Sequence, residues 1–71
     1  MPNAVVLRII IKILKRKGFI FVSQTGSHAK YRKHGNPTLQ AIVPIHGKEV
    51  PYRTFRSIVR QTKLKEEDFL K

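Results

Sequence analysis

Three histidines, His28, His34 and His46, are the first residues to ask about chemistry. Imidazole is the one side chain whose unperturbed pKa lies where a group can both take and give a proton near neutrality. The chain has no cysteine, so it offers no thiolate nucleophile and no thiolate metal site. Of its four acids, Glu66, Glu67 and Asp68 stand together near the C-terminal end, which leaves Glu49 alone near the histidines. No carboxylate pair, nucleophile elbow, glycine-rich phosphate loop or metal-ligand spacing is present. Fifteen Lys and Arg surround these few groups. One chemistry suits a histidine among cations: cleavage of RNA, which carries its own nucleophile in the 2′-OH. It asks the protein only to move protons and to steady charge on the phosphorus.

The histidines differ in their surroundings. His28 follows Gly26-Ser27 at a turn-to-strand junction, in a segment that also carries Lys30 and Arg32. It is read either as the proton-transfer group or as a solvated histidine of a basic strand. His34 lies beside Gly35-Asn36-Pro37 and reads as a solvated loop residue. His46 sits in the loop His46-Gly47-Lys48-Glu49-Val50-Pro51, where a second proton-transfer role and a structural hydrogen bond to the backbone are both open. Glu49 beside Lys48 reads as an ion-pair or loop-capping residue. No metal and no other cofactor is expected.

These residues need elements to position them. The run from Val5 to Leu14 predicts an amphipathic helix: with Val6 at zero and about 100° per residue, Arg8, Lys12, Lys15 and Arg16 occupy one arc and the apolar residues the rest. Asn3 is the expected N-cap and Gly18 the left-handed stop. Phe19 to Ser23 predicts a first strand, Gln24 to Ser27 a turn, and His28 to His34 a second strand. Period-two alternation puts His28, Lys30, Arg32 and His34 on one face and Ala29 and Tyr31 on the other. Thr38 to Ile45 predicts a third strand. A hairpin centred near residue 36 pairs positions whose numbers sum to about 72, which sets His28 opposite Pro44 and brings it close to His46.

Phe55, Ile58, Val59 and Thr62 then recur at helical spacing, with Arg53, Arg56, Arg60 and Lys63 alongside and Thr54 as expected cap. Lys65 to Leu70 predicts a short final turn that docks Phe69 and Leu70 on the core. The fold class is α+β: helix, three-stranded antiparallel meander, helix, with both helices on one sheet face and the other face wet. Residues 1–71 form one domain.

Charge sets the class of partner. Up to residue 65, fourteen Lys and Arg stand against Glu49 alone, an electrostatic footprint for a polyanion. The apolar run near the N-terminus is broken by Arg8 and Lys12 and is far short of the roughly 20 residues of a spanning helix. No small-residue cleavage site follows it. A cytoplasmic protein with no membrane partner is expected.

Taken in order, Gly26-Ser27-His28, Tyr31-Arg32, Val43-Pro44, His46-Gly47-Lys48-Glu49 and Thr54-Phe55-Arg56-Ser57-Ile58-Val59-Arg60-Gln61 resemble the HicA (YcfA-like) toxin family, over nearly the whole chain. The resemblance implies a double-stranded-RNA-binding-like fold. It also implies the toxin of a type II toxin-antitoxin system: a metal-independent endoribonuclease (mRNA interferase) acting on mRNA and neutralised by a HicB-type antitoxin. The family's catalytic histidine falls on His28. Gly26, Ser27, Lys30, Arg32 and Lys48 are the expected RNA contacts, and His46 the candidate second proton-transfer group. Three positions depart from the pattern: Arg53 and Lys63 where glycine is common, and Lys65 where Ser or Thr usually caps the last helix. The alternative to an enzyme is a non-catalytic RNA-binding module of the same fold, and a third class is a module that binds an acidic protein.

Overall fold

The computed structural model describes residues 4–70. Its elements in chain order are β1 (Ala4–Val6), α1 (Leu7–Arg16), β2 (Ile20–Thr25), β3 (His28–Lys33), β4 (Leu39–Pro44), β5 (Glu49–Pro51), α2 (Tyr52–Thr62) and a final 3₁₀ turn (Glu66–Phe69). β2, β3 and β4 form an antiparallel sheet in that order, and β1 pairs with β5 in a separate two-stranded sheet. The α+β meander with its two helices is therefore the predicted one. β1 and β5 are additions to it.

Alternation along the meander decides what is inside. Ala29, Tyr31, Ala41 and Val43 point inward and are buried, in one core with Ile10, Ile13 and Leu14 of α1, Phe55 and Ile58 of α2, and Phe69. Both helices therefore cover the same sheet face. The register of β3 on β4 runs from His28 opposite Pro44 to Lys33 opposite Leu39, and every pair sums to 72 as expected. Strand bounds differ by a residue or two. Gln24 and Thr25 belong to β2, so the turn is only Gly26-Ser27, and β3 stops at Lys33, which leaves His34 outside the ladder.

The outer edge of β4 meets α2. Ile42 donates its N–H to Gln61 Oε1 of α2 at 2.9 Å, so the polar groups of Ile42 point away from β3. Pro44, two residues on, points the same way, and its missing N–H removes no ladder bond.

Helix ends depart from the expected caps. Asn3 lies outside the described residues. α1 begins at Leu7, whose N–H donates to Lys48 O at 2.9 Å, so a loop carbonyl engages the first helical N–H. Gly18 ends the helix at φ +97°. α2 starts directly after the extended Pro51 (ψ 144°), which makes Thr54 its third residue and not its cap. Arg53, where the resemblance leads one to expect glycine, is simply helical there. Lys63 terminates α2 at φ 61°, the left-handed conformation that makes glycine common at such a position. Buried Thr62 satisfies its hydroxyl by donating to the carbonyls of Ile58 and Val59.

In the final turn the capping is done by Asp68, whose Oδ2 accepts from Lys65 N–H at 2.9 Å, so Lys65 needs no side-chain acceptor of its own. Phe69 is buried with its ring edge-on to Phe55 at 5.2 Å. Leu70 is 78% exposed and does not dock, because Phe69 already fills that place in the core.

Candidate functional site

Gly26 is the one residue of the β2–β3 turn with positive φ, at +58°, and Thr25 pairs directly with His28 across the two-residue loop. Glycine at the first turn position alone is the requirement of a type II′ hairpin turn. This turn makes His28 the first residue of β3, exposed at the hairpin tip between Thr25 on one side and Pro44 on the other. Gln24 Nε2 donates to Gly26 O at 3.0 Å and Ile45 N–H donates to Ser27 O at 2.6 Å. The tip is thus braced from both neighbouring strands.

Lys30 and Arg32 follow His28 on the same outer face at strand steps of about 7 Å each. Both are half-buried. Arg32 donates from Nε and Nη2 to Gln40 Oε1 at 3.2 and 3.0 Å, which fixes the plane of its guanidinium. The face is mixed: Ile20 and Ile42, 54% and 37% exposed, lie opposite Arg32 and Lys30 and give their stems an apolar bed.

The other predicted residues sit on the loop that leaves β4. His46 and Lys48 are exposed, and Gly47 between them takes φ +78°. The loop is tied at both ends, by Ile45 N–H on Ser27 O and by Lys48 O accepting from Leu7 N–H. Beyond Lys48 the chain is held as β5 by its pairing with β1, where Val6 stands opposite Glu49. Hence the hairpin tip carrying His28 and the loop carrying His46 and Lys48 are neighbours joined by a backbone bond. Glu49 makes no ion pair with Lys48 among the described residues; it is a strand residue of β5.

Electrostatically the site is uncompensated. Among the described residues the ion pairs are Lys17–Asp68 and Arg56–Glu66, both 3.9 Å, and both draw on the acids of the final turn. Lys30, Arg32 and Lys48 have no carboxylate partner among them. No cluster of three or more His, Cys, Asp or Glu capable of holding a metal ion occurs among the described residues. Two tyrosines are perturbed. Burial raises Tyr31, and Tyr52 is raised chiefly by donating its hydroxyl to Glu66 Oε1 at 2.6 Å.

Two supports of this site escaped the sequence reading. Gln40, which orients Arg32, lay within reach of it, since 32 and 40 sum to 72. The β1–β5 pair that steadies Lys48 was signalled only by the short β-branched runs Val5-Val6 and Val50, which the helix periodicity of the first and the loop residues around the second concealed.

These features define a small, strongly basic α+β protein whose hairpin tip presents a histidine on the sheet face that no helix covers. Residues 8–64 match the family described as the HicA toxin of bacterial toxin-antitoxin systems, and the chain belongs to that family. No curated protein matches the chain. No helix of the described residues is long and apolar enough to cross a membrane.

Proposed function

We propose that this chain is a cytoplasmic endoribonuclease that cleaves mRNA without a metal ion, uses His28 for proton transfer, and is neutralised by a HicB-type antitoxin. The observation that carries the reading is the placement of His28: exposed, at the tip of a braced hairpin, on the face shared with Lys30 and Arg32 and next to the loop of Lys48. A polymer reaches such a tip without any movement of the fold.

In the reaction, the ribose 2′-oxygen forms a bond to phosphorus as the bond from phosphorus to the 5′-oxygen breaks. The products are a 2′,3′-cyclic phosphate and a free 5′-OH. His28 moves one of the two protons involved, and His46, on the adjoining loop, is the candidate for the other. Lys30, Arg32 and Lys48 hold phosphate oxygens; Gln40 takes the Nε–Nη2 edge of Arg32 and so turns the Nη1 side of the guanidinium to the phosphate. Gly26 and Ser27 give the strand a close approach to backbone, since a Gly26 side chain position is open space. The reaction brings its own nucleophile, so no metal is needed to make one.

The test is incubation of the purified protein with end-labelled RNA and a metal chelator. Scission leaving 2′,3′-cyclic ends is expected, and His28→Ala should lose at least about 100-fold in rate, the usual weight of a general acid or base, while still binding RNA. A His28→Ala protein that cleaves at full rate overturns the assignment. Binding with no scission by the unaltered protein would instead make it an RNA-binding module.

A further inference from the structure

One acid stands idle beside the site. Glu49 is the single carboxylate among residues 1–65, and it directly follows Lys48, which is to hold phosphate. It is exposed and forms no ion pair among the described residues. It lines an open groove of about 830 Å³ between the start of α1 and the loop that leaves β4. Val6, Leu7 and Ile11 give that groove apolar walls, and Arg8 and Lys48 bring positive charge to it. The chain itself ties the groove to the site. Lys48 belongs to both, and its carbonyl accepts the first N–H of α1. Three residues back, Ile45 donates to Ser27 O, next to His28. Three residues of chain span at most about 11 Å, which a stacked strand of RNA covers in about three nucleotides at about 3.4 Å each.

We infer that this groove is a base subsite that selects guanine within about three nucleotides of the linkage His28 cleaves, and that Glu49 is the selecting residue. An ionised carboxylate only accepts hydrogen bonds. It meets two parallel N–H donors on the Watson–Crick edge of guanine alone, from N1 and the 2-amino group. Adenine and cytosine place a ring-nitrogen acceptor beside their amino group, and uracil flanks its one N–H with two carbonyl oxygens. Each of those sets acceptor against acceptor. A single strand splays its bases out for reading on this edge. Val6 stands directly opposite Glu49 in the β1–β5 ladder, with Cβ atoms about 5 Å apart, so a ring lying on Val6 turns its edge to the carboxylate. Arg8 and Lys48 then take the phosphates on either side. An acidic protein segment suits the cations and the apolar walls but is repelled by Glu49, whereas a guanine nucleotide uses all three.

The inference rests on the proposed cleavage of RNA, and changes in the substrate test it without touching the fold. Twelve-nucleotide oligoadenylate is compared with the same strand carrying one guanosine or one inosine at its centre, by cleavage rate and by mapping the cut ends. The guanosine strand should be cut about 10-fold faster, the weight of a bidentate base contact, with its cuts gathered within about three nucleotides of the guanosine. Inosine keeps the N1 donor and lacks the amino group, so its rate should fall between the other two. Glu49→Ala should erase the ranking of the three strands.

Equal rates on all three strands by the unaltered protein overturn the inference and leave the enzyme standing. A ranking that survives in Glu49→Ala also overturns it, and if that variant binds the antitoxin protein more weakly, the groove belongs to that partner. A protein that cuts none of the strands removes the enzyme, and equilibrium binding of the same strands then decides the subsite. The guanosine strand held about 10-fold tighter, and only with Glu49 present, keeps the subsite; equal binding removes it.

Discussion

At the scale of single residues, two backbone conformations carry opposite costs. Lys63 holds φ 61° with a side chain that disfavours it, whereas Gly26 holds φ +58° at no cost. Lys63→Gly should therefore stabilise the protein by about 1 kcal/mol, relieving left-handed strain, and raise the melting temperature by about 4–8 °C for a domain of this size. Gly26→Ala should cost about 1–2 kcal/mol through the same strain, since nothing stands within 4 Å of the added methyl. Because the strain falls at the tip, the RNA cleavage proposed for His28 should slow by more than the melting point suggests. A Gly26→Ala protein with full activity would show that the turn conformation does not position His28.

At the scale of elements, the final 3₁₀ turn is small but structural. Phe69 packs on Phe55, while neighbouring Leu70 is exposed. Phe69→Ala should cost about 3–5 kcal/mol, comparable with the whole stability of about 4–10 kcal/mol expected at this length, and leave the chain largely unfolded by circular dichroism. Leu70→Ala should change stability by less than about 0.5 kcal/mol.

The same turn explains a pH dependence. Tyr52 is raised above its ordinary value by its bond to Glu66, and Tyr31 by burial. A tyrosine raised on folding lends stability that is present below its unfolded value near pH 10 and lost as the pH climbs through the higher folded value. Melting temperature should hold to about pH 9 and fall beyond it. Tyr52→Phe should remove part of that fall, leaving the share of Tyr31.

The element scale also shows what the sequence could disclose. The β3–β4 register, the inward Ala29 and Tyr31 and the buried stripe of α2 were legible, because each follows from a local period or a turn residue. β1 and β5 were not, since three-residue strands have too few residues for alternation and their pairing spans more than forty positions. The helix starts were misplaced for a related reason. A carbonyl from the Lys48 loop meets the first N–H of α1, and Pro51 sets the start of α2, so the side-chain caps sought in the sequence were not what fixed either end. For the site, the exposure of His28 and its shared face with Lys30 and Arg32 were readable; the fastening of Ser27 to Ile45 was not, because no spacing rule announces it.

At the scale of the whole molecule, fifteen cationic side chains against four acids make a compact body that repels itself. Added salt should raise its melting temperature between about 10 and 150 mM, as the screening length falls from about 30 to 8 Å, and should at the same time weaken RNA binding. A melting temperature indifferent to salt would mean that the charges are spaced widely enough not to matter for folding.

The pairing of Ala4–Val6 with Glu49–Pro51, and the seat of Phe69 in the core against Phe55, set an order of assembly. As the chain leaves the ribosome, its first strand waits for a mate made more than forty residues later, and the interior waits for an aromatic ring made later still. A nascent fragment that stops short of residue 69 therefore still lacks one ring of the interior on which the histidine's strand rests.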